Sequence, residues 1–253
     1  MGWLADRGVP RPARRLVYGS YCRFTGADPG EAELPLDGYP SLGAFFVRRL
    51  KPGARPLAPE ADALLAPCDG RVQSLGTVER GTTLQAKGQA YAVHELLGLE
   101  ADGPEARSLE GAWTATIYLS PRDYHRVHAP LESHLTAIAW QPGDRRSVAP
   151  GVLARVPRLL ATNERATLRL DSGPERRVAW LVMVGALNVG RIRVVGVEPG
   201  ATPARPLAFA RGAELARFEM GSTVVLVVPG ARAIEGLAPG ASVRLGQRIA
   251  TRP

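Results

Sequence analysis

Gly221-Ser222-Thr223-Val224-Val225-Leu226-Val227-Val228 is an apolar run opened by a polar triplet and closed by Pro229-Gly230. Bounded by turn residues in this way, it reads as a buried strand. Working outward, residues 64–66, 70–75, 114–119, 135–140, 167–170, 178–184 and 191–197 repeat the pattern between Gly, Pro and Asp turns. Residues 92–99 are the one helix expected among them. Strands this short and numerous predict a mainly β (α+β) fold, with a compact β-sandwich or barrel-sandwich-like domain over residues 56–253.

Residues 1–55 read as an N-terminal helical extension. From Ala13 on, Val17, Tyr21 and Phe24 recur at helical spacing, which predicts a terminal helix laying that stripe on the domain. Arg11, Arg14, Arg15 and Arg23 accompany it, and a basic amphipathic helix also suits a membrane interface. Residues 25–40 are acidic and turn-rich, a connector. Ser41 reads as the N-cap of a helix over residues 42–50, with Phe45 and Phe46 inward and Arg48 and Arg49 outward.

The 253 residues include 32 basic and 24 acidic side chains, a net charge of +8, with 28 Gly and 22 Pro. Only Lys51 and Lys87 are lysines, so Schiff-base chemistry on a protein lysine is nearly excluded. No apolar run approaches the ~20 residues of a membrane span, and the first residues lack the apolar core of a signal peptide. Cys22 and Cys68 cannot make a disulfide scaffold, which points to a reduced cytoplasmic compartment. The charge alone could mean nucleic acid, but no stacking-aromatic or recognition-helix pattern accompanies it, so no nucleic-acid partner is expected.

Four segments could carry chemistry. Ala66-Pro67-Cys68-Asp69-Gly70-Arg71-Val72 is an Asp-Gly turn entering a strand, and alone it reads as a structural turn. Tyr118 to Pro130 places His125 and His128 three residues apart amid Asp123, Tyr124 and Arg126. On a strand those two histidines face opposite ways, so they need not share a role. A histidine can act as a general base if a carboxylate orients its other nitrogen. Arg211 to Val225 holds the Gly221-Ser222-Thr223 triplet, and residues 184–192 hold paired glycines that permit close backbone approach.

In this order, these segments resemble the phosphatidylserine decarboxylase proenzymes, a pyruvoyl-dependent family. Tyr39-Pro40-Ser41-Leu42-Gly43-Ala44-Phe45-Phe46-Val47-Arg48, Arg55-Pro56, Lys87-Gly88-Gln89-Ala90-Tyr91 and Leu96-Leu97-Gly98 continue the likeness, which runs from Gly2 to Val228. Met220 departs from it, since bacterial members commonly have leucine there. The resemblance implies cleavage between Gly221 and Ser222 into a β chain, 1–221, and an α chain, 222–253. It implies that Ser222 attacks the Gly221 carbonyl, with Asp69 and His128 completing a protease-like triad. Elimination and hydrolysis would leave Ser222 as a covalent pyruvoyl cofactor. A Schiff base to it would serve the decarboxylation of phosphatidylserine to phosphatidylethanolamine, with His125 handling substrate. The same likeness implies peripheral attachment to the cytoplasmic face of an anionic cell membrane, and assembly into a homo-oligomer.

Two other readings are weaker. A carrier-type barrel-sandwich module is suggested by Asp69-Gly70 and by residues 239–250, but no lysine sits where a carrier hairpin would need one. A zinc site on His125, His128 and Asp69 would need a helical turn or a bent loop, and Pro121 and Pro130 oppose the helix, so no metal is expected.

Overall fold

The computed structural model describes residues 5–86, 89–175, 177–186, 192–219 and 222–252. Its centre is an eight-stranded antiparallel sheet. In spatial order the strands are Leu207–Phe209, Ser133–Gln141, Arg165–Ser172, Arg177–Gly185, Ser222–Val228, Trp113–Leu119, Gly70–Thr77 and Ser242–Val243. The Ser222–Val228 strand lies in the middle. It is registered from Ser222 opposite Leu119 to Val228 opposite Trp113 on one side, and on the other it pairs Ser222 with Gly185.

The sheet is covered on both faces. Val224, Leu226 and Val228 pack with Ile117 and Leu119, and with Val127, Ile192, Leu215 and Phe218 of a second layer. That layer is the three-stranded sheet Ile192–Val194, Glu214–Phe218, Arg126–His128. Val225 and Val227 face the other way, toward Leu96, Leu97, Leu153 and Leu159. Burial on both sides explains why the central runs are apolar throughout instead of alternating with polar residues. The mainly β, α+β architecture agrees with expectation. The Val93–Leu97 helix falls inside the expected 92–99 segment. The Arg126–His128 and Glu214–Phe218 strands are additional to those expected.

The N-terminal part has its own small core. The Arg11–Thr25 helix stops at Gly26, whose φ of 81° only glycine adopts freely, and whose N–H caps the Cys22 carbonyl. Tyr18 and Cys22, one turn apart, face Tyr39 and Phe45, and the Tyr18 and Phe45 rings stack at 5.7 Å. This corrects the expected stripe. The inward residues are Tyr18, Cys22 and part of Tyr21, while Leu16 (75% exposed), Val17 and Phe24 (92% exposed) face outward.

Ser41 does cap the next helix, accepting from the Ala44 N–H, and Phe45 and Phe46 are buried. That helix ends at Phe46 rather than residue 50. The Val47 carbonyl, which a longer helix would use, accepts from Arg126 Nε, and the Lys51 N–H goes to the Glu31 carbonyl. The early stop turns Arg48 inward. It is 4% exposed, not outward as expected, whereas Arg49 is exposed.

Candidate active site

Asp69 ends the turn before the Gly70–Thr77 strand. A Cβ at Gly70 would lie 2.5 Å from the Tyr118 carbonyl oxygen, so only glycine lets the two strands approach here. The Asp69 carboxylate is buried and saturated. Oδ1 accepts from the Leu245 N–H and Arg55 Nε, both at 2.9 Å, and Oδ2 accepts from Arg55 Nη2 at 2.5 Å. Arg55 reaches on to Glu31, with Nη1 and Nη2 at 3.0 and 2.7 Å from its two oxygens. The hydrogen bonds from Arg55 hold the Glu31 carboxyl below its usual range. Burial alone would lower the Arg55 pKa, but the bonds to Asp69 and Glu31 outweigh it and raise the guanidinium further.

His128 sits at the end of its short strand, where its backbone N–H bonds the Pro67 carbonyl beside the Asp69 turn. Its Nδ1 is 2.9 Å from the Gly212 carbonyl oxygen and its Nε2 is 3.1 Å from the Tyr124 hydroxyl. A carbonyl only accepts, so this network assigns the proton to Nδ1 and leaves Nε2 as a lone pair receiving the Tyr124 O–H. Burial holds the ring below the ordinary histidine pKa, against the pull of the Gly212 carbonyl.

His125 follows the same pattern more deeply. Its Nδ1 donates to the Asp123 carbonyl at 2.8 Å and its ring lies 3.8 Å from the Phe46 ring. Its Nε2 is buried with no partner among the described residues. Complete burial drives its pKa down to about 3. Below pH 6.5 the unfolded chain therefore takes a proton that the folded chain refuses, so stability falls as pH drops. From His125 alone the loss is about 1.4 kcal/mol per pH unit, roughly 2 kcal/mol between pH 6.5 and 5. Denaturant unfolding of wild type and His125→Gln at both pH values measures it; equal slopes in the two proteins would contradict it.

Ser222 heads the central strand, fully buried, and its Oγ has no hydrogen-bond partner among the described residues. By strand alternation it shares the face of Val224 and Leu226, toward the layer that carries both histidines. The His125 carbonyl accepts from the Phe218 N–H at 3.0 Å, four residues before Ser222 in sequence. Gly221 and Met220 lie outside the described residues, as do Lys87, Gly88 and residues 187–191 of the fourth sequence segment.

Alternation turns His128 to the opposite side of its strand from Val127, which packs between the layers near Ser222, and the Pro67 contact sets His128 beside the Asp69 turn. No hydrogen bond joins Asp69 to His128, or His128 to Ser222. The acceptor that orients His128 is the Gly212 carbonyl, and the partner of Asp69 is Arg55. Arg55, Glu31, Tyr124 and Gly212 carry this network without having been given roles from sequence. Arg55 and Tyr124 lie inside distinctive segments, but nothing in their spacing signals which group they bind. Cys68 is buried, and its thiol is pushed well above its usual pKa by desolvation, which suits a small core residue rather than a nucleophile.

A cleft of about 750 Å³ opens beside Asp69 and Tyr124, bounded by Tyr118, Ser120, Arg48 and the Phe24–Gly26 end of the first helix. Tyr118 and Ser120 flank Leu119, the strand neighbour of Ser222. A neutral histidine base, a buried serine hydroxyl and an adjacent basic cleft can support nucleophilic chemistry on the backbone and then chemistry on an anionic ligand.

The family model described as phosphatidylserine decarboxylase matches residues 42–251, which hold the β architecture and Asp69, His125, His128 and Ser222. The chain belongs to the phosphatidylserine decarboxylase family. Among its relatives, a protein of Xanthomonas campestris pv. campestris named phosphatidylserine decarboxylase proenzyme is 45% identical, with 91% of this chain aligned to 85% of that one. Proteins of the same name from Alkalilimnicola ehrlichii and Azotobacter vinelandii are each 40% identical. They cover 93% and 98% of this chain, and 85% and 91% of their own lengths. As a family member, the chain is similar to proenzymes across both its N-terminal core and its sheet.

Proposed function

We propose that this chain is a proenzyme that cleaves itself between Gly221 and Ser222. As chains 1–221 and 222–253 it then decarboxylates phosphatidylserine to phosphatidylethanolamine and CO₂. The observation that carries this reading is the buried Ser222 hydroxyl, without a partner among the described residues, at the head of a strand in a chain of this family. A buried hydroxyl left unbonded costs stability, and such orphans call for a chemical explanation.

In this reading Ser222 Oγ attacks the Gly221 carbonyl, forming a C–O bond as the peptide C–N bond breaks, and the chain is joined by an ester. His128 accepts the hydroxyl proton on Nε2, once the Tyr124 hydroxyl gives that lone pair up, and returns it to the leaving nitrogen. The Gly212 carbonyl keeps Nδ1 protonated throughout. Asp69 acts at one remove, since its turn holds the backbone of His128 through Pro67. Decarboxylation of an amino acid needs an electron sink, and a pyruvoyl group derived from Ser222 would supply it. From Thr223 on, the strand is clamped between two neighbours, so its new N-terminus stays in register after cleavage. His125, neutral and sealed from water, is assigned to substrate handling through its free Nε2.

Residues 1–55 form the lipid-facing unit and residues 56–253 the catalytic one. No described helix is long and apolar enough to cross a membrane. Peripheral docking on an anionic membrane, assigned to the cytoplasmic face, is supported by Leu16, Val17 and Phe24, exposed on a helix that also carries Arg11, Arg14, Arg15 and Arg23. Assembly into a homo-oligomer completes the reading. With phosphatidylserine vesicles the wild-type protein releases CO₂ and accumulates phosphatidylethanolamine. In Leu16→Asp/Phe24→Asp, co-sedimentation with those vesicles falls at least about 10-fold, because each apolar side chain contributes about 1.5–3 kcal/mol when buried. Absence of CO₂ release from cleaved protein would overturn the assigned reaction, and unchanged co-sedimentation would overturn the docking face.

A further inference from the structure

Arg48 is a buried cation with no counter-ion among the described residues. Its Nη2 donates to the Arg122 carbonyl at 3.1 Å, and its guanidinium carbon lies 5.0 Å from the centre of the Phe45 ring. Among the described residues, Nε and Nη1 have no hydrogen-bond partner and no carboxylate forms an ion pair with the side chain. An aromatic face and one neutral carbonyl do not offset the desolvation of a guanidinium.

The acids that line the cleft bond elsewhere, Asp28 accepting from the Gly30 N–H at 2.7 Å. Glu31 and Asp69 are both held by Arg55. Asp123 accepts from the Ser120 N–H and hydroxyl at 2.7 and 2.6 Å. Arg48 therefore leaves the cleft with uncompensated positive charge. Arg71, exposed on the cleft wall and without an ion pair among the described residues, adds to it. At the rim stands Phe24, its ring almost wholly in solvent.

We infer that Arg48 and Arg71 form a phosphate subsite that receives the phosphodiester of a glycerophospholipid headgroup, with the acyl chains leaving over Phe24. This rests on the reading of the protein as a phosphatidylserine decarboxylase and adds to it the residues that hold the headgroup. Arginine suits the task because its planar fork meets two phosphate oxygens at once. A phosphodiester at the cleft floor gives Arg48 the counter-ion that the protein withholds.

The test is direct binding by isothermal titration to the wild-type protein, Arg48→Met, Arg48→Lys and Arg71→Met. The probes are glycerophosphoethanolamine and, separately, inorganic phosphate. Wild type binds glycerophosphoethanolamine. Arg48→Met weakens that binding about 10- to 100-fold, the range for a lost charge-assisted contact. Arg48→Lys recovers part of it, and Arg71→Met weakens it less. In turnover on vesicles, Arg48→Met shows its effect in KM far more than in kcat. Glycerophosphoethanolamine binding that is unchanged in Arg48→Met and Arg71→Met overturns the proposal, as does wild-type binding of inorganic phosphate alone. The titration needs no turnover, so a protein that binds the headgroup through Arg48 but never cleaves itself would refute the decarboxylase reading and leave this subsite standing. Should Arg48→Met fail to fold, Arg48→Lys and Arg71→Met decide the question.

Discussion

Ser222→Ala is expected to remain a single chain of 27.0 kDa and to lose decarboxylation by more than about 10⁴-fold, the scale on which removal of an essential nucleophile is felt. The structure separates this chemical effect from a folding effect. The Ser222 Oγ is buried and makes no hydrogen bond among the described residues, so alanine removes no contact. It also removes a desolvated hydroxyl whose burial costs about 1–3 kcal/mol. The strand it heads is held by Val224 to Val228, which the substitution leaves alone. Ser222→Ala should therefore melt no lower than the uncleaved wild-type chain. A variant that is still cleaved would mean that Ser222 is not the attacking group. One that fails to fold would mean that the hydroxyl has a partner the account lacks.

Arg55→Met should be among the most destabilising single changes in the chain. The Arg55 side chain is 7% exposed and joins Asp69 and Glu31 through both oxygens of each. Methionine keeps the length but leaves two carboxylates facing a space that had held their cation. Breaking a buried pair by removing one partner costs about 3–5 kcal/mol. At this chain length that corresponds to a fall in Tm of about 6–20 °C. Adding Asp69→Asn to Arg55→Met should recover part of the loss, because the pair is coupled and not additive. Thermal melts of the two single variants and the double variant measure this. A change under about 2 °C in Arg55→Met would show that Arg55 contributes little, and that Asp69 is placed by the Leu245 N–H alone.

The structure also shows why some of this was legible in the sequence and some was not. The 222–228 run was readable because burial on both faces writes itself as unbroken aliphatic sequence. Ser41 was readable because a capping hydroxyl is a local device. The Arg126–His128 and Glu214–Phe218 strands were not, since both are short and rich in polar residues that serve the layer's outer side and the site. The first helix misled because its most apolar stripe, through Val17 and Phe24, faces outward, while the residues that dock, Tyr18 and Cys22, carry a hydroxyl and a thiol. Arg48 was expected outward on helical spacing. The competing bonds that end that helix at Phe46 come from Arg126 and Glu31, distant in sequence.

The candidate site divides in the same way. Asp69, His125, His128 and Ser222 could be marked by segment and order. Which acceptor each histidine would find could not. Gly212 and Asp123 offer backbone carbonyls, and any residue type has one. The charge that first suggested nucleic acid is placed by the fold on the first helix and along the cleft beside Asp69, where arginine meets phosphate.

The intact mass of the purified wild-type protein under denaturing conditions tests the central claim most directly. The account predicts two species, residues 1–221 and residues 222–253, the smaller with a blocked first residue derived from Ser222. A single chain of 27.0 kDa, unchanged after incubation with anionic vesicles, would contradict it.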